Sequence, residues 1–189
     1  GDDDRLYTFI AATAADGRSL MQLDTDHIHG IGGDQDFVWE SFFRGYNPIY
    51  MDPLGALHEL TIGEPVLNEP QHERARMAMG EARRWAERLD LKRTLPHEEL
   101  ASTGYCLADP GQAYLVYVPA SASSHSTPDV SRPLTVNLTG AVGGFVGEWI
   151  DLEQSSAMPV SERIEGGGER LLTVPFRGAG LLYVYRQKD

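Results

Sequence analysis

The side chains best suited to chemistry in this chain lie close together between residues 24 and 36. The polar residues with acid–base or metal-binding side chains in this stretch are Asp24, Asp26, His27, His29, Asp34 and Asp36. They follow an apolar run at residues 20–23, and glycines among them let the backbone turn sharply. A short strand that ends in clustered acids before a glycine loop is typical of the active-site rim of α/β enzymes. The stretch therefore predicts a catalytic or binding rim.

Two of these aspartates have a simpler explanation as helix caps. Asp34 and Asp36 directly precede the helical pattern that starts at Phe37, where an N-cap carboxylate is favoured. The other four residues precede the glycines and have no helix to cap. They are therefore the functional candidates: Asp24, Asp26, His27 and His29.

The composition restricts the class of protein. With 189 residues, 41% of them hydrophobic and 9% aromatic, the chain can bury a core as one domain or two small ones. The net charge of -12 argues against a nucleic-acid partner, and no apolar run is long enough for membrane insertion. Neither a phosphate-binding glycine motif nor a serine nucleophile elbow is present, so no cofactor is predicted. The single cysteine, Cys106, excludes an internal disulfide and is predicted to be a small buried residue.

Residues 1–95 alternate between helical and extended patterns, the order that builds a parallel sheet covered by helices. Helices are predicted at residues 6–14, 37–43 and 70–89, and short strands at 19–23 and 47–51. Gly45 is well placed to end the second of these helices. The last of these helices is expected to turn the following residues inward: Met77, Ala78, Ala82, Trp85, Ala86 and Leu89.

Two parallel strands are too few for a stable sheet, because a parallel pair needs cover on both faces and has two open edges. Residues 1–95 are therefore predicted to be the last strand–helix units of a larger (β/α) barrel whose N-terminal portion is missing. The alternative is a sheet that other strands or a homodimer completes. The first residue, Gly1, is not a methionine, as expected for an artificial start or for the cut edge of a longer protein.

From about residue 100 the pattern changes to short alternating strands with glycine-rich turns. Strands are predicted at residues 105–108, 114–118, 134–138, 145–150, 170–174 and 181–185. A hairpin turn is expected at residues 109–112. The pattern predicts an all-β antiparallel sandwich of about seven strands over residues 100–189. The domain boundary is expected at residues 94–99, where Pro96 interrupts the helical pattern.

Motifs in both halves resemble one group of proteins. Those of the first half are Asp24-Thr25-Asp26-His27, residues 30–34, Val38-Trp39, residues 44–49 and Met51-Asp52-Pro53. Together they resemble the C-terminal stretch of bacterial, apiosidase-like glycoside hydrolases with a (β/α)8 barrel, or TIM barrel. Residues 101–111, 114–117, 147–150, 166–168 and 175–176 are similar to the C-terminal β-sandwich of those proteins, which is often labelled a collagen-binding domain.

The resemblance implies that residues 19–23 and 49–51 are the seventh and eighth barrel strands, and that strands one to six are absent from this chain. It implies a carbohydrate substrate. Because relatives of this type are commonly exported, it also implies an extracytoplasmic location, periplasmic or secreted. His29 stands where the resemblance leads us to expect an aromatic residue such as tryptophan, so the substrate contact there is expected to differ.

Glycoside hydrolysis normally needs two carboxyl groups, which a barrel places at the ends of different strands. Asp24 or Asp26 is predicted to be one of this catalytic pair, and Asp24 is favoured because it lies nearer the strand end. Asp52 is predicted to bind sugar hydroxyls, or else to be a turn residue. His27 and His29 are predicted to contact the substrate or to orient the aspartates, with an ordinary loop position as the alternative.

Other interpretations of the same residues stay open. The string Asp-x-Asp-His-x-His contains ligands of the zinc or manganese type but matches no strong metal signature, so no metal is predicted. Trp39, Trp85 and Trp149 are predicted to be core residues. The rival function is a non-catalytic module that binds carbohydrate or protein, or that packs on the barrel and stabilises it.

Overall fold

The computed structural model describes residues 21–24, 34–50, 70–120 and 132–187. The chain divides into two compact units, residues 1–90 and residues 91–189. The described residues form two α-helices, one short 3-10 helix and eleven strands, so β-structure predominates. The helix predicted at residues 6–14 and the start of the strand predicted at 19–23 lie outside the described residues.

The described part of the first unit has the predicted alternation of strand and helix. Strand β1 (Gln22–Asp24) is followed by helix α1 (Gln35–Phe43), strand β2 (Asn47–Ile49) and helix α2 (Pro70–Arg88). The two strands are parallel, and α1 packs against α2. Trp39 in α1 is 1% exposed, in edge-to-face contact with the ring of Phe42 at 6.4 Å. An aromatic cluster therefore forms the core next to this short sheet.

Helix α1 stops at a glycine that the sequence predicted as its end. Gly45 has φ 81, a left-handed conformation that glycine adopts without steric cost. Its amide donates to the Phe42 carbonyl at 3.0 Å, and the amide of Tyr46 donates to the Ser41 carbonyl at 3.0 Å. This pair of hydrogen bonds satisfies the last carbonyls of the helix and redirects the chain into β2.

Helix α2 buries one narrow stripe of small and apolar side chains. Its buried residues recur every three or four positions: Ala75, Ala78, Ala82, Trp85 and the following Leu89. Met77 is 55% exposed, so the prediction that it faces inward is wrong. At about 100° per residue, Met77 lies well away from the stripe on the helical circumference. Within the described residues, neither α-helix has the length and apolar character needed to cross a bilayer.

The second unit contains only antiparallel strand pairs among its described residues. Its strands are β3 (Leu95–Pro96), β4 (Cys106–Asp109), β5 (Ala113–Val118), β6 (Arg132–Asn137), β7 (Gly144–Asp151), β8 (Ser156–Pro159), β9 (Ile164–Glu165), β10 (Glu169–Val174) and β11 (Gly180–Tyr185). Seven of them form one sheet in the order β3-β4-β5-β11-β7-β8, with β9 also paired to β7. Strands β6 and β10 form a second sheet.

The two sheets share one hydrophobic core, which is the arrangement of a sandwich with unequal layers. The small sheet contributes Leu134 and Leu172, and the large sheet contributes Tyr114, Trp149 and Leu182. Alternate residues of the long strand β7 are buried, as expected where one sheet face packs on the core.

The predicted hairpin is present, but the predicted strand count is too low. The amide of Gln112 donates to the Asp109 carbonyl at 2.9 Å and closes the turn between β4 and β5. The described residues of the unit form nine strands rather than about seven, because β3, β8 and β9 carry no pattern of their own. They are strands only because β4 or β7 pairs with them. Pro96 therefore belongs to an edge strand, where proline is tolerated.

Candidate functional site

In the first unit, the predicted site residues lie at or after the ends of the two described strands in the sequence. Asp24, the last residue of β1, lies opposite Ile49, the last residue of β2. Because the strands are parallel, both end at the same edge of the pair, which we call the strand-end edge. In open α/β sheets and in barrels, ligands bind outside the carboxyl ends of the strands.

The register of β1 against β2 places Asp24 at this edge, and two hydrogen bonds at the start of the strands fix that register. The Asn47 backbone amide donates to the Met21 carbonyl at 2.9 Å. The Asn47 side-chain amide donates to the same oxygen at 3.1 Å. Two donors on one carbonyl fix where β2 starts against β1. A slip of one residue would turn every side chain of the strand to the other face.

The aspartate after the glycines caps α1, as the sequence predicted. Asp34 is the N-cap residue, and its Oδ1 accepts from the amide of Phe37 at 3.0 Å. Asp36 lies in the first turn of α1, where the helix dipole favours a negative charge. Both side chains are explained by the helix, so the chemistry predicted for this stretch rests on the residues before them.

The structure places the backbone of one predicted site residue and leaves the others as predictions. Asp24 is the last residue of β1, but its side chain is not described. Asp26, His27, His29 and Asp52 lie outside the described residues. Their catalytic and substrate-binding roles therefore stay predictions.

The tryptophans are packed in cores, as predicted. Trp39 is 1% exposed, Trp85 is 5% exposed and Trp149 is 4% exposed. The ring of Trp149 meets Phe176 edge to face, with 5.9 Å between the ring centroids. None of the three presents an open ring face of the kind that a sugar stacks on.

Cys106 is buried in β4, as predicted, and its thiol is unreactive in the folded state. Burial raises the pKa of the Cys106 thiol, and the nearby Glu99 carboxylate raises it further. A thiol that stays protonated is neither a nucleophile nor a metal ligand. Among the residues that the structure describes, no group of three or more histidine, cysteine, aspartate or glutamate side chains is placed to hold a metal ion.

The second unit contains a cavity that the sequence did not indicate. Its volume is about 290 Å³, and it lies between β7 and β8 of the large sheet and β10 of the small one. Its lining residues are Trp149, Met158, Pro159, Val160, Ser161, Glu162, Leu172, Thr173 and Pro175. They come from two sheets and the loop after β8, and no local motif joins them. Only the tertiary fold brings them together.

No protein-family model matches the sequence, and no curated protein matches it. Its fold is similar to that of a solved structure described as "Glycoside hydrolase", with a TM-score of 0.55 and 13% sequence identity. The similarity covers 82% of this chain and 37% of that one, so the chain spans little more than a third of its length. At this level of identity the likeness concerns the fold alone.

A second solved structure gives a weaker similarity. It is a glycoside hydrolase family 5 protein from Bacteroides vulgatus ATCC 8482, with a TM-score of 0.49 and 10% identity. The similarity covers 80% of this chain and 35% of that one. The fold similarity therefore rests on the first structure, and neither comparison shows an apiosidase-type barrel or a collagen-binding domain.

Proposed function

We propose that this chain is the C-terminal portion of a glycoside-hydrolase-like protein that acts on carbohydrate. In this proposal residues 1–95 are the last units of a (β/α) barrel, and residues 100–189 are an accessory β-sandwich. The observation that carries the proposal is the in-register end of two parallel strands at Asp24 and Ile49, directly before the acidic stretch. The fold similarity to a glycoside hydrolase supports the protein class.

The incomplete sheet is the physical reason for placing this piece within a larger pocket. Among the described residues of the first unit, only β1 and β2 pair with each other. A parallel pair leaves backbone donors and acceptors open on both edges, and a barrel removes such edges by closing on itself. In the proposal, the earlier barrel strands complete the sheet and carry the second catalytic carboxyl group.

Each candidate residue has a role in this proposal. Asp24 or Asp26 supplies one carboxyl group, which acts as proton donor or as nucleophile or base. Asp52, from the segment after β2, accepts hydrogen bonds from sugar hydroxyls. His27 and His29 contact the sugar or orient the catalytic aspartate. The distance to the second carboxyl group decides the stereochemistry, since a retaining enzyme holds the pair about 5 Å apart and an inverting one holds it farther apart.

The test uses the longer parent protein with its barrel complete, assayed on a panel of aryl glycosides. The variants Asp24→Asn and Asp26→Asn remove one charge each and keep the side-chain shape. We expect one of them to lower kcat/KM by about 10²–10⁴-fold, the usual contribution of a positioned acid or base. The matched control is Asp34→Asn, because asparagine is also a good N-cap residue and the helix should be unaffected.

The result against the catalytic role is full activity in both variants. In that case the second function stands, a module that binds carbohydrate or protein without catalysis. The observation that favours this second function is the cavity of about 290 Å³ in the second unit. None of its lining residues belongs to the acidic stretch. This second function would be identified if the parent protein showed no hydrolase activity and still bound sugar in both Asp24→Asn and Asp26→Asn.

The proposal includes an extracytoplasmic location, periplasmic or secreted, because glycans that need such hydrolases are met outside the cytoplasm. Cell fractionation of the parent protein tests this part separately. Recovery with cytoplasmic markers only would contradict the location and leave the proposed chemistry untouched.

A further inference from the structure

The cavity of the second unit opens where the two sheets are not joined to each other. Strand β8 is the last strand of the large sheet, and β10 pairs only with β6 among the described strands. Residues 160–162, which follow β8, complete the rim. The opening is therefore a gap between two sheet edges, with core side chains as its floor.

The floor of the cavity is backed by an aromatic contact. Trp149 lies against Phe176 edge to face at 5.9 Å. Phe176 in turn lies directly over Gly180, where an added methyl group would overlap the Phe176 ring and stand 2.6 Å from the Ile150 carbonyl oxygen. The close approach of Phe176 therefore depends on the glycine, and Phe176 in turn packs on Trp149.

The lining combines apolar and hydroxyl-binding groups and contains no lysine or arginine. Trp149, Met158 and Leu172 supply an apolar floor. Ser161, Glu162 and Thr173 are exposed residues at the rim, with hydroxyl or carboxylate side chains. A ligand that suits this set has one apolar face and several hydroxyl groups, which is the chemical character of a sugar ring.

The size and the charge of the cavity exclude other ligand classes. A volume of about 290 Å³ is near the lower limit for small-molecule sites, so one ring fits and a long chain does not. The only charged side chain in the lining is the acidic Glu162, and the chain has a net charge of -12. Phosphates and carboxylates are therefore repelled.

We infer that this cavity binds one neutral pyranose or furanose unit of a glycan. Glu162 accepts hydrogen bonds from ring hydroxyls, and Ser161 adds a donor or acceptor beside it. The C–H face of the sugar packs on Met158 and on the edge of Trp149. All of these residues lie in residues 91–189, so the inference goes beyond the role proposed for Asp24 and Asp26.

The experiment follows two signals that report on the floor, with the full 189-residue chain in solution. The indole N–H of Trp149 and the methyl group of Met158 are assigned in NMR spectra by Trp149→Phe and Met158→Leu. Methyl glycosides of glucose, xylose and arabinose are the probes. We expect at least one of them to shift both signals, with a dissociation constant on the order of 1 mM for a ligand of this size.

Matched variants separate specific binding from a general solvent effect. Glu162→Ala should weaken binding of that glycoside by at least about 10-fold, since a hydrogen bond to a charged group is lost. Glu169→Ala removes an equally exposed glutamate outside the cavity lining and should leave the affinity unchanged. Both positions are exposed, so neither change threatens the fold.

Three results would overturn the inference. The first is the absence of shifts at Trp149 and Met158 with all three glycosides. The second is binding of equal affinity in Glu162→Ala. The third is a shift caused by choline and not by any glycoside, which would make Glu162 and Trp149 a cation site. Hydrolysis by the parent protein is measured separately. A failure of the cavity to bind glycosides would therefore not contradict the role of Asp24 and Asp26, and a loss of that role would not contradict binding in the cavity.

Discussion

Residues 91–189 pair each of their described strands into antiparallel sheets around one core, whereas the described part of residues 1–90 has a single pair of three-residue parallel strands. The polar residues differ in the same way. In the second unit, polar side chains such as Arg132 make hydrogen bonds within the unit. The Arg132 guanidinium donates to the carbonyls of Pro119, Arg177 and Gly178. In the first unit, the candidate acidic residues begin at Asp24, the last residue of β1, and continue in the sequence after it. The first unit therefore carries the proposed catalytic position at the end of its parallel strands, and the second carries the proposed binding position in the cavity between its sheets.

The core of the first unit is the strongest place to test this comparison. Trp39→Ala removes a side chain that is 1% exposed, and we expect it to lower the free energy of opening at the α1 and α2 amides by about 3–5 kcal/mol. Native-state hydrogen exchange at those amides measures the loss. The control Met77→Ala changes a residue that is 55% exposed, and its effect should stay within about 0.5 kcal/mol. Equal effects of the two substitutions would show that the helices do not form a packed core.

The aromatic contact in the second unit comes next in size. Gly180→Ala places a methyl group into the Phe176 ring and close to a backbone oxygen, so we expect a loss of about 1–3 kcal/mol in the free energy of unfolding. Urea unfolding followed by tryptophan fluorescence measures it. Gly140→Ala is the matched control, since a methyl group there meets no atom within 4 Å, and it should have little effect. If Gly140→Ala were the more damaging change, the packing argument for Phe176 and Trp149 would fail.

The cap of α1 allows a finer test of the first unit. Asp34→Ala removes the acceptor for the Phe37 amide and should cost about 1 kcal/mol. Asp34→Asn keeps an acceptor and should be close to wild type. Thermal unfolding by circular dichroism compares the two. A loss of equal size in both variants would mean that the charge of Asp34 matters and that its capping hydrogen bond does not.

The smallest expected effect is a pH dependence at the start of the second unit. The hydrogen bond from His97 to Glu99, at 2.9 Å, holds the pKa of the Glu99 carboxyl below its ordinary value. Because the folded-state pKa is depressed, its contribution to stability is present above the ordinary carboxyl pKa and is lost as the pH falls through the folded value. Glu99 is 64% exposed, so the contribution is small. Urea midpoints for Glu99→Gln should fall less than those of wild type on acidification, and parallel curves would remove the effect.

Local signals were enough to predict much of the fold. A carboxylate before an apolar helical run predicted a cap at Asp34 or Asp36, and the cap is Asp34. A glycine after the run predicted the end of α1 at Gly45. A proline–glycine turn between alternating apolar runs predicted the hairpin of β4 and β5. In each case, residues that are neighbours in sequence make the deciding contact.

The features that the sequence did not reveal depend on partners far along the chain. Strand β8 has no alternating pattern and is extended because β7 pairs with it. Met77 carries an apolar side chain, but a narrow stripe of alanines already fills the packed face of α2. The cavity is lined by Trp149 from one sheet and Thr173 from the other. The periodicity of the sequence does not predict that these two residues lie close together. For the candidate site, the sequence indicates the residues, and the structure adds the backbone position of Asp24 and the strand register that sets it.

Both outermost strands of the seven-stranded sheet are short and contain a proline, Pro96 in β3 and Pro159 in β8. A proline has no N–H to give to an incoming strand, so neither border offers a full ladder for another chain to extend. Addition of another strand along β3 or β8 is thereby disfavoured.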